Sequence, residues 1–259
     1  MTITSRQNPL VARYRAAARG QPGDAMLLDG VHLVSEAMRA SVTISHAAAT
    51  AAAATHAEVR DVVAALDRAG IDVVAVSDSV MDAISPVRSS SGLVALAARP
   101  DAPVANVFAR TPPLVVIGVD IQDPGNLGAI VRVAEAGGAT GMVAAGASAD
   151  PFGWKALRGS MGSALRVPIA SASADESLAE ARRHGCRIVA TVPRDGVSLF
   201  EADLAGPLAI VIGGEGSGLP AAIVDAADER VSIPMAAPVE SLNAAVTAAL
   251  IVYEARRRG

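Results

Sequence analysis

Leu114-Val-Val-Ile-Gly-Val119 runs straight into Asp120-Ile-Gln-Asp123-Pro124-Gly125-Asn126-Leu-Gly128, and the fold of the chain is read outward from this passage. The first six residues form a continuous apolar run, as expected of a parallel strand covered on both faces. Pro124 and Gly125 make a turn, and Asn126 is a good helix N-cap. Ala129 to Ala136 then forms a helix that Gly137-Gly138 closes. A buried strand feeding directly into a helix predicts an α/β protein with a parallel sheet.

The same alternation continues toward the C-terminus. Gly141-Met-Val-Ala-Ala145, Arg187-Ile-Val-Ala-Thr191-Val192-Pro193, Leu208 to Ile212 and Val231-Ser-Ile-Pro234 read as strands, with a helix-like Lys155 to Ser163 after the turn at Ala149-Asp-Pro151. Two runs empty into loops of the kind that hold small molecules in open α/β sheets. One is Gly213-Gly214-Glu215-Gly216-Ser217-Gly218-Leu219. The other is Ile233-Pro-Met235 with Glu240-Ser241-Leu242-Asn243, followed by an Ala-rich helix whose apolar stripe is read as Leu242, Val246, Ala249, Leu250 and Tyr253. The glycine spacing gives neither G-x-G-x-x-G nor a P-loop, so a dinucleotide enzyme is a minor alternative.

Before this region lies a smaller α/β unit. Met26 to Asp29 and Ile71 to Val76 look like strands, Val31 to Ala40 and Glu58 to Ala69 like helices, and Ala47 to Ala54 like helix filler or loop. Prolines at 100, 103, 112 and 113 interrupt regular structure, which places a first domain at 1–99, a linker at 100–113 and a second domain at 114–259.

With 259 residues and 51% hydrophobic content the chain has ample material for two cores. No run of eighteen apolar residues is uninterrupted and the N-terminus lacks a signal-peptide core, so a cytoplasmic protein without membrane spans is expected. The single cysteine, Cys186, reads as a buried strand thiol, and the four histidines have no mutual ligand spacing, so no metal is expected. A net charge of −4 argues against a globally basic nucleic-acid binder. Local patches remain: Arg6, Arg13, Arg15 and Arg19 precede any acid, and Lys155, Arg158 and Arg166 form another acid-free stretch. Each reads either as a phosphate-binding patch or as a solvated helix face. Aromatic residues are only 2%, so stacking on splayed bases has few partners and recognition by shape and backbone is expected. Arg132, one helical turn after Gly128, either faces a ligand or pairs with Glu135.

Asn126-x-Gly128-x-x-x-Arg132, Gly213-x-Glu215-Gly-x-Gly218-Leu219 and Ile233-Pro-Met235 with Ser241-Leu-Asn243 resemble, in this order, the three motifs of the SpoU/TrmH family of RNA ribose 2'-O-methyltransferases. The first hundred residues, with Ser5-Arg-Gln-Asn-Pro9-Leu10, Leu28-Asp-Gly30, Ser35-Glu-Ala37 and Gly92-Leu-Val-Ala95, are similar to the L30e-like substrate-binding domain carried by many members. The resemblance implies a SPOUT domain with a C-terminal trefoil knot, a homodimer that completes the active site, and S-adenosyl-L-methionine as cofactor. It implies cofactor contacts at Thr191, Val192, Gly213, Gly214, Glu215, Gly218, Ile233, Met235, Ser241, Leu242 and Asn243. It also implies catalytic or bracing roles for Arg132, Asn126, Glu215, Ser241 and Asn243. RNA contacts are expected from Arg6, Arg13, Arg15, Arg132, Lys155 and Arg158. Ribosomal RNA, 23S in particular, is the expected substrate, with transfer RNA as the sister alternative.

Two departures accompany the match. Ala237 stands where relatives often have glycine, and Ala244-Ala245-Val246 stands where they often have Val-Ser-Val, removing a hydroxyl. A catalytically silent RNA-binding module and a small-molecule α/β enzyme are the readings from other classes. A guanidinium keeps its proton in proteins, so Arg132 is read as binding phosphate and stabilising developing alkoxide charge, with the proton acceptor left open.

Overall fold

A computed structural model describes residues 2–21, 23, 25–216 and 218–258. They form two compact units, one of Met1–Pro100 with Phe152–Leu165 and one of Asp101–Pro151 with Arg166–Gly259.

In chain order the first unit contains β1 (Thr2–Ile3), α1 (Pro9–Ala18), β2 (Ala25–Asp29), α2 (Val31–Arg39), β3 (Ile44–Thr50), α3 (Ala57–Arg68), β4 (Val73–Val76), α4 (Asp78–Ile84) and β5 (Leu93–Ala98). Its sheet has the order β1-β4-β3-β5-β2, with β1, β4 and β3 parallel and β5 antiparallel to both β3 and β2. Asn8 caps α1 with its side chain and Ser77 caps α4. Of the run Ala47 to Ala54 expected to be helix or loop, Ala47 to Thr50 instead belong to the central strand β3, with Ala47 and Ala48 fully buried, whereas residues 51–54 form a turn and the start of a short 3-10 helix as expected. Alanine is a poor strand former by itself, but pairing on both sides supplies every ladder bond and overrides that weak preference. The core gathers Val11, Tyr14, Leu27, Val80, Ile84 and Leu96.

The second unit continues with α5 (Val104–Val107), β6 (Leu114–Val119), α6 (Pro124–Gly137), β7 (Gly141–Ala145), β8 (Ile169–Ala172), α8 (Ala174–Arg183), β9 (Arg187–Thr191), β10 (Val197–Ser198), β11 (Leu208–Gly213), α9 (Ala221–Ala226), β12 (Glu229–Ser232) and α10 (Ala244–Arg258). Between β7 and β8 the chain makes α7 (Trp154–Ser160), which packs on β2 of the first unit. Every strand pair in the second sheet, of order β10-β12-β9-β11-β6-β7-β8, is parallel. That matches the parallel α/β expectation and explains the uninterrupted apolar runs, since β6, β7 and β11 are buried over most of their length. Residues 101–113, expected as linker, belong to this unit and bury Val107 and Phe108 in its core.

Two local readings are corrected. Asp123 rather than Asn126 caps α6, its Oδ1 accepting the Asn126 N–H at 2.8 Å, because Pro124 already adopts the first helical position. The stripe foreseen for α10 is also rotated. Ala244, Ala248, Ile251, Val252 and Ala255 are buried, whereas Val246, Leu250 and Tyr253 are 47%, 40% and 51% exposed. Ile251 and Val252 share this inner face with the alanines, and Gly137 of α6 makes room for Val252, which a Cβ there would strike. No helix among the described residues is long and apolar enough to cross a membrane.

Candidate functional site

The C-terminal ends of β9, β11 and β12 face one cavity of about 550 Å³. The loop after β11 forms one wall. Gly213 and Gly214 are required there: a Cβ on Gly213 would overlap the backbone of Gly218, and one on Gly214 would overlap the Asp120 carbonyl. Gly216 and Gly218 have φ of +93° and +65°, so the loop turns back through conformations that side chains disfavour. Ile233, Met235, Ser241 and Leu242 form the facing wall, with Thr191 and Val192 beside them. Every residue expected to contact the cofactor therefore lines this one cavity. Pro193, Ile212, Gly216, Leu219, Val224, Val231, Ala244 and Thr247 line it as well and were missed. Thr247 could have been found from helical spacing, since it lies four residues after Asn243.

The first turn of α6 and two loops meet at one carboxylate. Glu215 Oε1 accepts hydrogen bonds from Asn126 Nδ2 and Asn243 Nδ2, each at 2.7 Å, and Asn243 Nδ2 also lies 3.0 Å from Asn126 Oδ1. Asn243 Oδ1 caps α10 by accepting from the N–H groups of Ala245 and Val246 at 2.9 and 3.3 Å. The side chain thus fixes the start of α10 and the Gly-rich loop together, with charge-assisted bonds that are stronger than neutral ones. Ala245 lies outside the cavity lining, so the hydroxyl missing at that position opens no gap in the wall.

A second cleft of about 280 Å³ adjoins the first and shares Glu215 and Ala244 with it. Asp120, Ile121, Gln122, Asp123 and Asn126 complete it. Asp120 has φ of +55° and is held by its Oδ1, which accepts the Ala147 N–H at 2.7 Å. Asp tolerates that left-handed turn better than most residues.

Arg132 is exposed on α6 and lines neither cavity. The alternative pairing with Glu135 is not made, because Glu135 binds Arg166 in a two-pronged ion pair of 2.7 and 2.8 Å. Arg132 has no hydrogen bond or ion pair among the described residues, which leaves its guanidinium available. The same pair removes Arg166 from the basic stretch; Lys155 lies over the Trp154 ring, and Arg158 is exposed. In the N-terminal stretch Arg13 and Arg15 are exposed, while Arg6 donates through Nε to the Ser79 carbonyl at 2.9 Å. The arginines that end α10 are engaged, Arg256 with the Ala136 carbonyl and Arg257 and Arg258 with Glu254. Burial pushes the Cys186 thiol up to about 11, which removes it as a nucleophile at neutral pH.

The cavity fits S-adenosyl-L-methionine in kind. Its volume lies in the range of small-molecule sites, its walls are largely apolar, and its glycine cradle lets a ligand approach main-chain polar groups. Lys, Arg and His are absent from the described residues that line it. A parallel sheet with a ligand cavity at its carboxyl strand ends and converging motifs defines an α/β ligand-binding class of protein.

Residues 113–253 match the SpoU rRNA Methylase family, and the chain belongs to that family. It is 34% identical to an uncharacterized tRNA/rRNA methyltransferase of Synechocystis, over 99% of this chain and 94% of that protein. It is 27% identical to the 23S rRNA (guanosine(2553)-2'-O)-methyltransferase of Bacillus subtilis, over 89% and 88% of the two chains. The crystal structure of an AdoMet-bound rRNA methyltransferase from Sinorhizobium meliloti superposes with a TM-score of 0.86 at 28% identity, covering 99% of this chain and 97% of that one.

Proposed function

We propose that this protein methylates the 2'-hydroxyl of a ribose in RNA, 23S ribosomal RNA ahead of transfer RNA, using S-adenosyl-L-methionine. The observation that carries the reading is the convergence of all three motifs on Glu215 beside a glycine-cradled cavity. The similarity to a 23S rRNA 2'-O-methyltransferase and to an AdoMet-bound rRNA methyltransferase supports it.

When bound, S-adenosyl-L-methionine supplies an electrophilic methyl group on a sulfonium. The protein's task is to keep the ribose oxygen in line with the bond that breaks, which makes positioning a large part of the rate. Asn126, Glu215 and Asn243 brace the loops, and Ser241, Leu242, Ile233, Met235, Thr191 and Val192 shape the cofactor walls. Arg132 binds the RNA phosphate and stabilises negative charge developing on the oxygen. Arg132 lies outside the cavity of its own chain, and in a homodimer each Arg132 serves the neighbouring site. The exposed Val246, Leu250 and Tyr253 stripe on α10 supports such an interface. A trefoil knot through the C-terminal loops, an L30e-like role for the first unit, a cytoplasmic location and RNA contacts by Arg6, Arg13, Arg15, Lys155 and Arg158 belong to the same proposal.

The test is incubation of the purified protein with labelled S-adenosyl-L-methionine and protein-free ribosomal or transfer RNA, followed by nucleoside mass spectrometry. A 2'-O-methylated nucleoside in 23S RNA is expected. Methylation confined to transfer RNA favours the sister substrate, and label on a base or none in RNA refutes the proposal.

A further inference from the structure

Thr247 is a polar side chain that α10 brings to the cofactor cavity without an evident structural task. Only Ala244 and Thr247 of that helix line the wall, and their three-residue spacing puts them on one face. The Thr247 N–H donates to the Asn243 carbonyl at 2.9 Å in the ordinary helical pattern. A threonine hydroxyl inside a helix commonly bonds a carbonyl of the preceding turn. This one makes no hydrogen bond among the described residues.

The remaining polar side chains of the cavity are mostly committed. Thr191 Oγ1 donates to the Val211 carbonyl at 3.0 Å, Glu215 accepts from two asparagines, and Asn243 caps α10. Ser241 and Thr247 are the hydroxyls left over. The methyl donor, for its part, carries a carboxylate on its methionine portion, and no cationic side chain among the described lining residues can meet it. A hydroxyl donor on the first turns of a 15-residue helix, where the backbone dipole favours negative charge, is suited to that group.

We propose that Thr247 is a cofactor-binding residue whose hydroxyl donates a hydrogen bond to the carboxylate of the methionine portion. The inference rests on the cavity being the methyl-donor site. Its test is calorimetry on the full-length protein and the Thr247→Val and Thr247→Ser variants. One probe is S-adenosylhomocysteine, which has the carboxylate, and the other is 5'-methylthioadenosine, which lacks the amino-acid portion. Thr247→Val keeps the side chain's shape and is expected to weaken S-adenosylhomocysteine about tenfold, the scale of a hydrogen bond to a charged group. It should leave 5'-methylthioadenosine within about twofold, with Thr247→Ser retaining near-native affinity for both. Equal losses for the two ligands, or no loss for S-adenosylhomocysteine with Thr247→Val, overturn the assignment. Failure of the unaltered protein to bind S-adenosylhomocysteine at all removes the donor-site reading and the assignment with it.

Discussion

The two sheets are built from similarly small and apolar residues yet serve different ends. The first mixes parallel and antiparallel pairs, and its alanine-rich centre is buried in a hydrophobic core. The second is parallel throughout, so the C-terminal ends of β6, β9, β11 and β12 all point the same way and their loops gather at one edge. Parallel order thus does more than bury strands: it concentrates Asn126, Glu215 and Asn243, separated by up to 117 residues, within hydrogen-bonding distance. Chemistry is accordingly expected from the second sheet, and stability or substrate contact from the first.

The largest test of that division is Arg132→Ala. Loss of an electrostatic stabiliser of developing charge lowers methyl transfer about 100- to 1,000-fold while cofactor affinity stays near native. Turnover assays and calorimetry check both halves, and retained turnover would remove Arg132 from the catalytic machinery. Next comes Gly214→Ala, which drives a Cβ into the Asp120 carbonyl and forces the β6 and β11 loops apart. Overpacking of this kind costs about 1–3 kcal/mol, and here it should also erase cofactor binding. An unchanged melting temperature with intact binding would show that the two loops are free to separate.

The smallest effect belongs to the first unit. Burial holds the Asp29 carboxyl above the usual carboxylate range, against the lowering effects of the Ser85 hydroxyl bond at 2.6 Å and nearby Arg158. A raised folded-state value means that the native state keeps its proton longer than the unfolded chain. That contribution is fully present below the unfolded value and disappears as pH rises through the folded one. Asp29→Asn keeps a partner for Ser85 but cannot ionise, so denaturation midpoints measured across weakly acidic to neutral pH should fall less steeply than in the parent. Methyl transfer should be unaffected. Parallel pH curves for the two proteins would contradict the burial argument.

Much of the site was legible because its residues are unusual for their places. Glycines at 213, 214, 216 and 218 have no reason to cluster after a strand unless the backbone must turn back on itself, and the structure shows two of them pressed against other main chain. Asn126 illustrates the opposite case. Its position before an apolar helix suggested a cap, yet Asp123 performs that task and releases Asn126 to meet Glu215. Local spacing does not distinguish two cap candidates three residues apart when only one has a distant partner. Similarly, the helical period of α10 was readable, but its inner face was assigned to the larger side chains. Packing against α6 puts Ile251 and Val252 with three alanines on that face and leaves Val246, Leu250 and Tyr253 outside.

The sequence by itself determined the α/β class, the parallel strands and the three motifs, because continuous apolar runs, glycine turns and motif spacing are local properties of the chain. Tertiary structure alone decided that Ala47 to Ala49 form a strand, that Glu135 pairs with Arg166, and that one carboxylate joins the three motifs. Each of those outcomes depends on which distant group arrives beside a residue. Burial, ladder pairing and charge-assisted hydrogen bonds then outweigh weak local preference.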